Sequence, residues 1–246
     1  MHYNLCMLKN SRIELYEDNI GAVEYIDHMG SDLTVVNSAR VSFGVNKCEL
    51  DERDKKLINY LIKHKHTSTL EHNVITFKFT VPLFIRSQHH RHRTWAYNEI
   101  SRRYTSFDMK FYEPKEFRAQ HKSNRQASEN KMTNPDLNDA QTRIIPVPAY
   151  YASQAIQDHN KKSLNLYNNL IEKGICREQA RGVLPQNLYT EYYGTVNLNN
   201  LLKFVSLRIH NGAQWEIQQV AKACLKIAEE IFPETVSSYL NNTNQI

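Results

Sequence analysis

The residues best suited to chemistry lie in one short, strongly basic stretch. Between positions 86 and 103, five arginines and three histidines stand against a single acid, Glu99. The basic side chains are Arg86, Arg91, Arg93, Arg102, Arg103, His89, His90 and His92. Arginine forks bind phosphate oxygens bidentately, and the aromatic residues Trp95, Tyr97 and Tyr104 accompany them. This mixture favours a site for an anionic nucleotide over a bare basic surface.

The glycines do not indicate a phosphate cradle. They lie at positions 21, 30, 44, 174, 182, 194 and 212, too far apart for a G-x-G-x-x-G turn or a P-loop. Phosphates must therefore be held by side chains. The pairs Arg91 with Arg93 and Arg102 with Arg103 offer that chemistry, and Ser101 adds an uncharged hydrogen-bond donor.

The histidines do not favour a metal site. His64, His66 and His72 precede a predicted strand, but an H-E-x-x-H pair is absent from the sequence. Zinc ligands must share one face, and the nearby arginines would repel a dication. We therefore expect no metal and assign the histidines to hydrogen bonding and stacking.

The cysteines suggest neither a disulfide framework nor a thiolate zinc site. Cys6, Cys48, Cys176 and Cys224 are scattered along the chain, and none belongs to a C-x-x-C pair. Cys176 precedes a predicted helix, a setting that can lower the pKa of a thiol. Because a histidine or carboxylate partner is not evident nearby, we expect it to be a small buried residue.

The composition is that of a soluble globular protein. The chain has 246 residues, 41% hydrophobic and 23% charged, and its net charge of +5 favours anionic ligands. No apolar run approaches the roughly 20 residues that span a bilayer, and the first residues do not resemble a secretion signal. We therefore expect a cytoplasmic enzyme or binding protein with no membrane partner.

Hydrophobic patterning predicts strands and helices on both sides of the basic stretch. The clearest strand runs from Val74 to Val81, with Phe77 and Phe79 on its apolar face. The other elements predicted in this half are a strand at 12–16, a helix at 34–41 capped by Asp32, a helix at 51–64 and a helix from Pro82 to about His92. The last helix has charged faces, which we expect to meet anionic ligands or a second subunit.

The second half begins with a polar segment. Residues 115–145 contain few apolar side chains, which predicts a long loop or lid. The elements predicted after it are a helix ending near Gly174, a helix at 177–182, a strand at 189–196 and two closing helices at 201–208 and 213–231. The interleaving predicts one α/β or α+β domain spanning residues 1–246.

The basic stretch also resembles a known motif. Arg91-His92-Arg93, seven further residues and Ser101 are similar to the R-H-R-x7-S motif of the flavin-dependent thymidylate synthases. The resemblance continues in one frame from about residue 35 to about residue 235. The similar segments are 39–42, 71–72, 97–99, 103–104, 184–185, 187–190 and 213–218, with the single residues Arg181, Arg208 and Gln88, the last just ahead of the motif.

This resemblance implies a fold, an assembly and a reaction. The fold is a central, mainly antiparallel sheet flanked by helices, and the assembly is a homotetramer with active sites at subunit interfaces. The reaction is the reductive methylation of dUMP to dTMP. Methylenetetrahydrofolate supplies the carbon, and NADPH supplies reducing equivalents through FAD. The expected partners are therefore dUMP, a folate and other copies of the chain, not nucleic acid.

The resemblance also assigns residues to two ligands. Positions similar to FAD contacts are His66, Ser68, Arg91, His92, Arg93, Glu99, Asn197, Asn199 and Lys203. Positions similar to dUMP contacts are Gln88, Arg91, Glu99, Ile100, Ser101, Arg102, Arg103, Arg181 and Arg208. The family has a histidine near the flavin and folate at the position of His66. At Arg102, often a small residue in the family, we expect contact through the backbone.

Asn199 and Lys203 depart from the family pattern. Some relatives have arginine and asparagine at these two positions, in contact with FAD. We therefore expect this chain to hold the adenine or pyrophosphate end of FAD differently.

Arg208 is the catalytic residue that we expect. Unrelated thymidylate synthases activate uracil by cysteine attack at C6, and no cysteine here has a suitable sequence context. An arginine at the O2 or N3–O4 edge can instead stabilise negative charge that develops on the base. The Arg91–Arg93 cluster would stabilise an anionic reduced flavin. We expect Ser101 to position a ligand, because a general base is missing at triad-like spacing.

Two other functions compete with this hypothesis. A protein that binds single-stranded nucleic acid would use the basic, aromatic stretch, and its affinity would depend strongly on salt. A metal-dependent hydrolase would use the histidines and lose activity on chelation. The visible spectrum separates the three, because only bound flavin absorbs near roughly 370 and 450 nm.

Overall fold

A five-stranded sheet forms the centre of the fold in a computed structural model that describes residues 11–125, 127–138 and 148–243. In spatial order its strands are β1 (Arg12–Glu14), β2 (Ala22–Met29), β3 (Val74–Pro82), β7 (Tyr189–Asn197) and β4 (Ala96–Glu99). The β1–β2, β2–β3 and β4–β7 pairs are antiparallel. The fold is α+β, with a mainly antiparallel sheet flanked by helices, as predicted.

The contacts of the chain group it into two compact units. The larger unit draws on residues 1–81, 85–99 and 191–246, and the smaller on residues 82–84 and 100–190. The sheet belongs almost wholly to the larger unit. That the whole chain acts as one domain stays a prediction.

Helices of the larger unit pack onto the sheet and onto each other. They are α1 (Asp32–Arg40), α2 (Glu52–Lys63), α6 (Leu198–Ile209), α7 (Trp215–Ile231) and α8 (Pro233–Thr243). Helix α6 packs on α7, α2 packs on α8, and α7 reaches strand β2. Their apolar faces bury Phe77, Phe204 and Ile217 completely, and this burial supplies the main favourable term in folding.

Capping residues set the starts of these helices. Asp51 caps α2, because its carboxylate accepts hydrogen bonds from the backbone N–H groups of Arg53 (2.8 Å) and Asp54 (3.0 Å). The predicted cap of the first helix, Asp32, is wrong, because that residue lies inside α1, after Ser31. Its buried carboxylate instead accepts from the N–H groups at positions 234 and 235. Asp32 therefore caps α8, which is far away in sequence.

The C-terminal region has one more helix than the two predicted. Helix α7 ends before Phe232, and α8 begins directly at Pro233. Proline lacks the N–H that would continue α7, but its fixed φ suits the first turn of a new helix. The pattern therefore marks the break correctly, while the helix beyond it was missed.

The helix predicted from Pro82 to about His92 is shorter than expected. Pro82 ends strand β3, and α3 covers only Leu83–His89. Beyond it the backbone tightens, since the N–H of Arg91 bonds to the oxygen of Gln88 and that of His92 to the oxygen of His89. The chain must leave the helix here because Trp95 is buried and β4 starts at the next residue.

Part of the segment at 115–145, predicted as a long loop or lid, forms two strands in the smaller unit. Its described part contains the two-stranded sheet β5 (Phe117–Gln120) and β6 (Ser128–Thr133), and residues 139–145 lie outside the described residues. The strands were missed because they are polar and lack an apolar face. The Gln120 side chain bonds to the carbonyls at positions 124, 125 and 127, which stabilises the connecting loop.

The rest of this unit is helical, as predicted. Helix α4 (Ala152–Glu172) ends before Gly174, whose φ of 85° favours glycine. Helix α5 (Arg177–Ala180) continues into a 3-10 turn at Arg181–Val183, shortly before Pro185. None of the helices that the structure describes combines the length and the apolar character needed to cross a bilayer.

Candidate active site

The Arg91-His92-Arg93 motif lies in the tight turn between α3 and β4. Tyr97, on β4, donates its hydroxyl to the backbone oxygens of His89 (3.0 Å) and His92 (3.2 Å). The Tyr97 ring also stacks on His90, with ring centroids 4.0 Å apart. Burial, followed by the nearby Cys224, raises the pKa of the Tyr97 hydroxyl, so it remains a donor. The strand thereby fixes the turn that carries the motif.

His89 anchors this turn in the core of the protein. It is fully buried, its Nδ1 lies 2.8 Å from the Tyr192 hydroxyl, and its ring centroid is within 5 Å of those of Phe79, Trp95 and Phe204. Burial, together with His92, His90 and Arg208, keeps the pKa of His89 well below its usual value. His89 is therefore a neutral core residue. The sequence signal was its spacing of four from the apolar Ile85, which places both on one helical face.

Gly194 makes room for this aromatic cluster. A Cβ atom there would lie 2.8 Å from Phe79 Cε2 and 3.2 Å from Trp95 Cε3. Both distances are shorter than ordinary van der Waals contact. Strand β7 thus needs a glycine where the rings that support His89 cross it.

Arg208 and His92 meet directly, although 116 residues separate them in sequence. Arg208 Nε donates to His92 Nε2 over 3.0 Å. Burial, followed by the charge of Arg208, lowers the pKa of His92 to about 4, so the ring is neutral and can accept. The terminal nitrogens of Arg208 have no partner within the described residues. The guanidinium is therefore oriented through Nε while its bidentate edge stays available.

Two other predicted site residues of the larger unit have partners that the sequence did not reveal. The Glu99 carboxylate accepts from Arg86 Nε at 3.1 Å, and both side chains are partly buried. Gln88 donates its amide to Gln214, which in turn donates to Glu216 at 2.9 Å. These partners come from other elements, so local spacing gave no signal for them.

Arg91 and Arg93 occupy the exposed side of the turn. Neither side chain makes a hydrogen bond or ion pair with any residue that the structure describes. The positive charge of these two side chains is therefore not paired with a carboxylate among the described residues.

A large cavity adjoins Arg208 within the same unit. Its volume is about 960 Å³, within the range of small-molecule sites. Its apolar lining includes Leu61, Leu70, Leu202, Leu207 and Tyr239, and its cationic lining consists of Lys63, Lys65, Lys203 and Arg208. Neither aspartate nor glutamate is among the described residues that line it. Such a cavity suits a ligand with an apolar ring and negative charge.

The remaining residues assigned to FAD lie around the start of α6 and the end of α2. Asn197 caps α6 by accepting from the Asn200 N–H at 2.9 Å. Asn199 is buried, lines the cavity and donates its amide to Glu71 at 2.9 Å. His66 and Ser68 are exposed and flank Thr67, which lines the same cavity.

The smaller unit brings together the other predicted arginines. Arg103 Nη2 lies 3.4 Å from a Glu178 carboxylate oxygen, and Arg181 Nε donates to the Glu178 backbone oxygen at 3.4 Å. Ser101 Oγ accepts from the Arg103 N–H at 3.2 Å. Arg102 turns its side chain to the backbone oxygen at position 107. Glu178 was missed by the sequence-based prediction, although it lies three residues before Arg181.

Ile100 completes this part of the motif. It directly precedes Ser101, and its side chain is 36% exposed. An exposed apolar residue beside a hydroxyl and two arginines is open to a ligand ring as well as to solvent.

The described cysteines differ in exposure. Cys224 is buried, and burial raises the pKa of its thiol. Cys176 is exposed, which corrects the expectation of a buried residue; it lies at the surface start of α5. Among the described residues, no cluster of three or more His, Cys, Asp or Glu side chains could hold a metal ion.

Comparison with known proteins identifies the family. A family model described as thymidylate synthase complementing protein matches residues 24–234, most of the chain. The chain belongs to this family. The R-H-R-x7-S resemblance is thereby confirmed, and the paired Arg208 and His92 lie inside the matched region.

Named relatives in the family are enzymes. The flavin-dependent thymidylate synthase of Thermus thermophilus is 43% identical over 213 residues, covering 87% of this chain and 73% of the relative. That of Thermotoga neapolitana is 40% identical over 220 residues, covering 89% of this chain and 91% of the relative. This member of the family is accordingly an enzyme.

A solved structure agrees with the fold. The UMP/dUMP methylase PolB from Streptomyces cacaoi, bound with 5-Br dUMP, has a TM-score of 0.77 and 30% sequence identity. The match covers 93% of this chain and 97% of PolB. This chain therefore shares its architecture with a methylase that was solved with a bound nucleotide.

Proposed function

We propose that this protein is an FAD-dependent thymidylate synthase that converts dUMP to dTMP. Methylenetetrahydrofolate would be the carbon donor and NADPH the reductant. The single observation that carries the proposal is the Arg208 guanidinium, oriented by neutral His92 beside a cavity with a cationic lining. Membership of the family and the likeness to a UMP/dUMP methylase support the same reaction.

FAD fits the chemistry of the cavity in the larger unit. The volume of about 960 Å³ accommodates a large cofactor, and the cationic lining complements its phosphates. When bound, the flavin supplies the transfer of reducing equivalents. We assign its contacts to His66, Ser68, Arg91, His92, Arg93, Glu99, Asn197, Asn199 and Lys203.

Arg208 is the residue that we assign to polarisation of the uracil ring. Its Nε is held by His92, so its two terminal nitrogens can face a carbonyl edge of the base. Partial burial strengthens such an interaction because the local dielectric is low. Negative charge that develops on the ring would then be stabilised without a covalent bond.

We assign the phosphate of dUMP to the arginines around Glu178. Arg103 and Arg181 both contact this residue, and Ser101 lies next to Arg103. A phosphate offers stronger acceptors than one carboxylate and can engage both guanidinium groups. The other assigned dUMP contacts are Gln88, Arg91, Glu99, Ile100 and Arg102.

A mechanism without a cysteine nucleophile is supported by the described thiols. None of the described cysteines lines the cavity. Cys224 is buried with a raised pKa, so its thiol stays protonated and unreactive. The polarising role of Arg208 replaces nucleophilic attack in the proposal.

We further propose that the enzyme is a homotetramer located in the cytoplasm. The resemblance to the family suggests active sites at subunit interfaces. The exposed arginines of the motif, Arg91 and Arg93, would then face ligands held jointly with a second copy of the chain.

The visible spectrum and one variant test the proposed function. The purified protein should absorb near roughly 370 and 450 nm and form dTMP from dUMP, methylenetetrahydrofolate and NADPH. Arg208→Ala should retain flavin but lose dUMP binding and turnover. Arg53→Ala makes the same change at an exposed position of α2 and should behave as wild type. A colourless protein that also fails to bind added FAD, or near-normal dTMP formation by Arg208→Ala, would contradict the proposal.

A further inference from the structure

Three lysines give the cavity of the larger unit its positive charge beyond Arg208. Lys63 ends helix α2, Lys65 follows two residues later, and Lys203 lies on α6. All three are exposed, and none forms an ion pair with a described residue. Lys47, Lys55, Lys78 and Lys110 differ, because each has a carboxylate partner. The charge of the cavity lysines is therefore available to a ligand.

Lys65 stands where backbone energetics favour a glycine. Its φ is 57°, in the left-handed region. Its N–H bonds to the Ile62 oxygen at 3.1 Å, and the next N–H bonds to the Leu61 oxygen at 2.8 Å, which closes α2. Glycine is the usual residue in such a helix-ending turn, since a side chain there costs free energy. The turn itself therefore does not account for a lysine in this position.

Asn199 does not add to that charge. It is neutral and 4% exposed, and its amide nitrogen is directed to Glu71. Lys203 lies four residues further along α6, which places it on the same helical face. The positive charge on this face of the helix is therefore found at Lys203, one turn beyond the buried amide.

We propose that Lys63, Lys65 and Lys203 form the subsite for the diphosphate of FAD and make the cavity select FAD over riboflavin. This inference rests on the proposed flavin dependence. The FAD diphosphate carries two negative charges between its flavin and adenosine ends, the terminal phosphate of FMN carries a similar charge near neutral pH, and riboflavin carries none. Three unpaired ammonium groups complement the charge of a phosphate-bearing flavin, whereas the apolar lining contacts the ring system that all three flavins share.

Flavin binding to the full-length chain tests the subsite. Equilibrium dialysis with FAD, FMN and riboflavin, read by flavin fluorescence, compares wild type with Lys63→Ala, Lys203→Ala, Lys65→Gly and the triple variant. Each single change should weaken FAD binding by about 5- to 10-fold and the triple by about 100-fold, as expected for lost charge-assisted contacts. Riboflavin affinity should change by less than about twofold. Lys56→Ala, an exposed lysine on α2, is the matched control.

Lys65→Gly separates charge from folding. Glycine suits the left-handed turn, so the variant should melt at the wild-type temperature or above while FAD affinity falls. The subsite is wrong if the triple variant binds FAD like Lys56→Ala, or if riboflavin is lost as strongly as FAD. Those results overturn the subsite while wild type still binds FAD and forms dTMP. If the wild-type protein bound none of the three flavins, that result would contradict the proposed function and therefore the subsite as well.

Discussion

At the scale of single residues, the contact between Arg208 and His92 depends on the protonation of the histidine. The pKa of His92 is lowered to about 4 by burial and by the charge of Arg208, from its usual value of 6.5. The neutral ring accepts from Arg208 Nε, whereas a protonated ring would lose its acceptor and repel the guanidinium. The folded state therefore resists protonation, and the stability present above about pH 6.5 is lost as the pH falls toward 4.

We predict that His92→Gln reduces this pH dependence. Between about pH 7 and about pH 4, the unfolding free energy of wild type should fall more steeply than that of the variant, by up to about one proton of uptake. Urea unfolding across this range measures both slopes. His89 is present in both proteins, and because burial is the largest cause that lowers its pKa, its contribution changes little between them. Parallel curves would show that the pKa of His92 is not depressed in the folded state.

At the scale of elements, Tyr97 joins strand β4 to the turn that follows α3. We predict that Tyr97→Phe lowers the unfolding free energy by about 1–2 kcal/mol, because the carbonyls at positions 89 and 92 lose their donor. Turnover should fall by several-fold, since His92 then orients Arg208 less well. Urea unfolding and dTMP formation measure the two effects. Tyr193→Phe, an exposed tyrosine on β7, should change neither; an equal loss there would deny Tyr97 a specific role.

Strand β7 depends on Gly194 for the packing of the aromatic cluster. Gly194→Ala should destabilise the protein by about 1–3 kcal/mol, because the new methyl group overlaps the rings of Phe79 and Trp95. Thermal or urea unfolding measures the loss. At Gly182 a Cβ would meet nothing within 4 Å, so Gly182→Ala serves as the control. Unchanged stability in Gly194→Ala would mean that the rings can move aside.

The boundaries of the strands and helices show which parts of the fold could be predicted from the sequence alone. The strand predicted at Val74–Val81 and the helix predicted at 51–64 rest on local signals, and both elements form as predicted. The β5–β6 pair is held by backbone pairing between polar segments, which leaves no hydrophobic period. The early end of α3 is set by the burial of Trp95, a tertiary demand that helix periodicity does not encode.

The candidate site, too, could be predicted only in part from the sequence. The residue types of the motif, Ser101 and Arg208 could be assigned from spacing and family resemblance. The partners of other assigned residues could not, because Arg103 meets Glu178, and Gln88 meets Gln214, only through folding. The positive charge of the cavity likewise comes from separate elements, α2 and α6, so composition did not single out its lysines.

At the scale of the whole molecule, the loop at residues 41–47 is held in place by ion pairs and hydrogen bonds, yet its apolar side chains are exposed. The buried carboxylate of Asp54 pairs with Arg40 at 2.6 Å and also with Lys47. The backbone of Lys47 is further held by two hydrogen bonds of 2.9 Å to the Asn37 side chain. Between these anchors Phe43 is 82% exposed. Val41 (73% exposed) and Val45 (43% exposed) lie in the same loop, and exposed apolar side chains grouped on an ordered loop mark a surface that a partner can cover.

The proposed homotetramer supplies that partner as another copy of the chain. We predict that Phe43→Ser shifts the assembly toward smaller species, because a central aromatic anchor of an interface contributes strongly to association. Sedimentation velocity on wild type and variant at equal concentration measures the shift. Phe107→Ser is the control, since Phe107 is also 82% exposed but lies outside the loop anchored by Asp54. A tetramer that persists in Phe43→Ser, or that dissociates equally in both variants, would remove this loop from the proposed interface. If the shift is confined to Phe43→Ser and flavin affinity falls with it, the loop and the cofactor site depend on the same assembly.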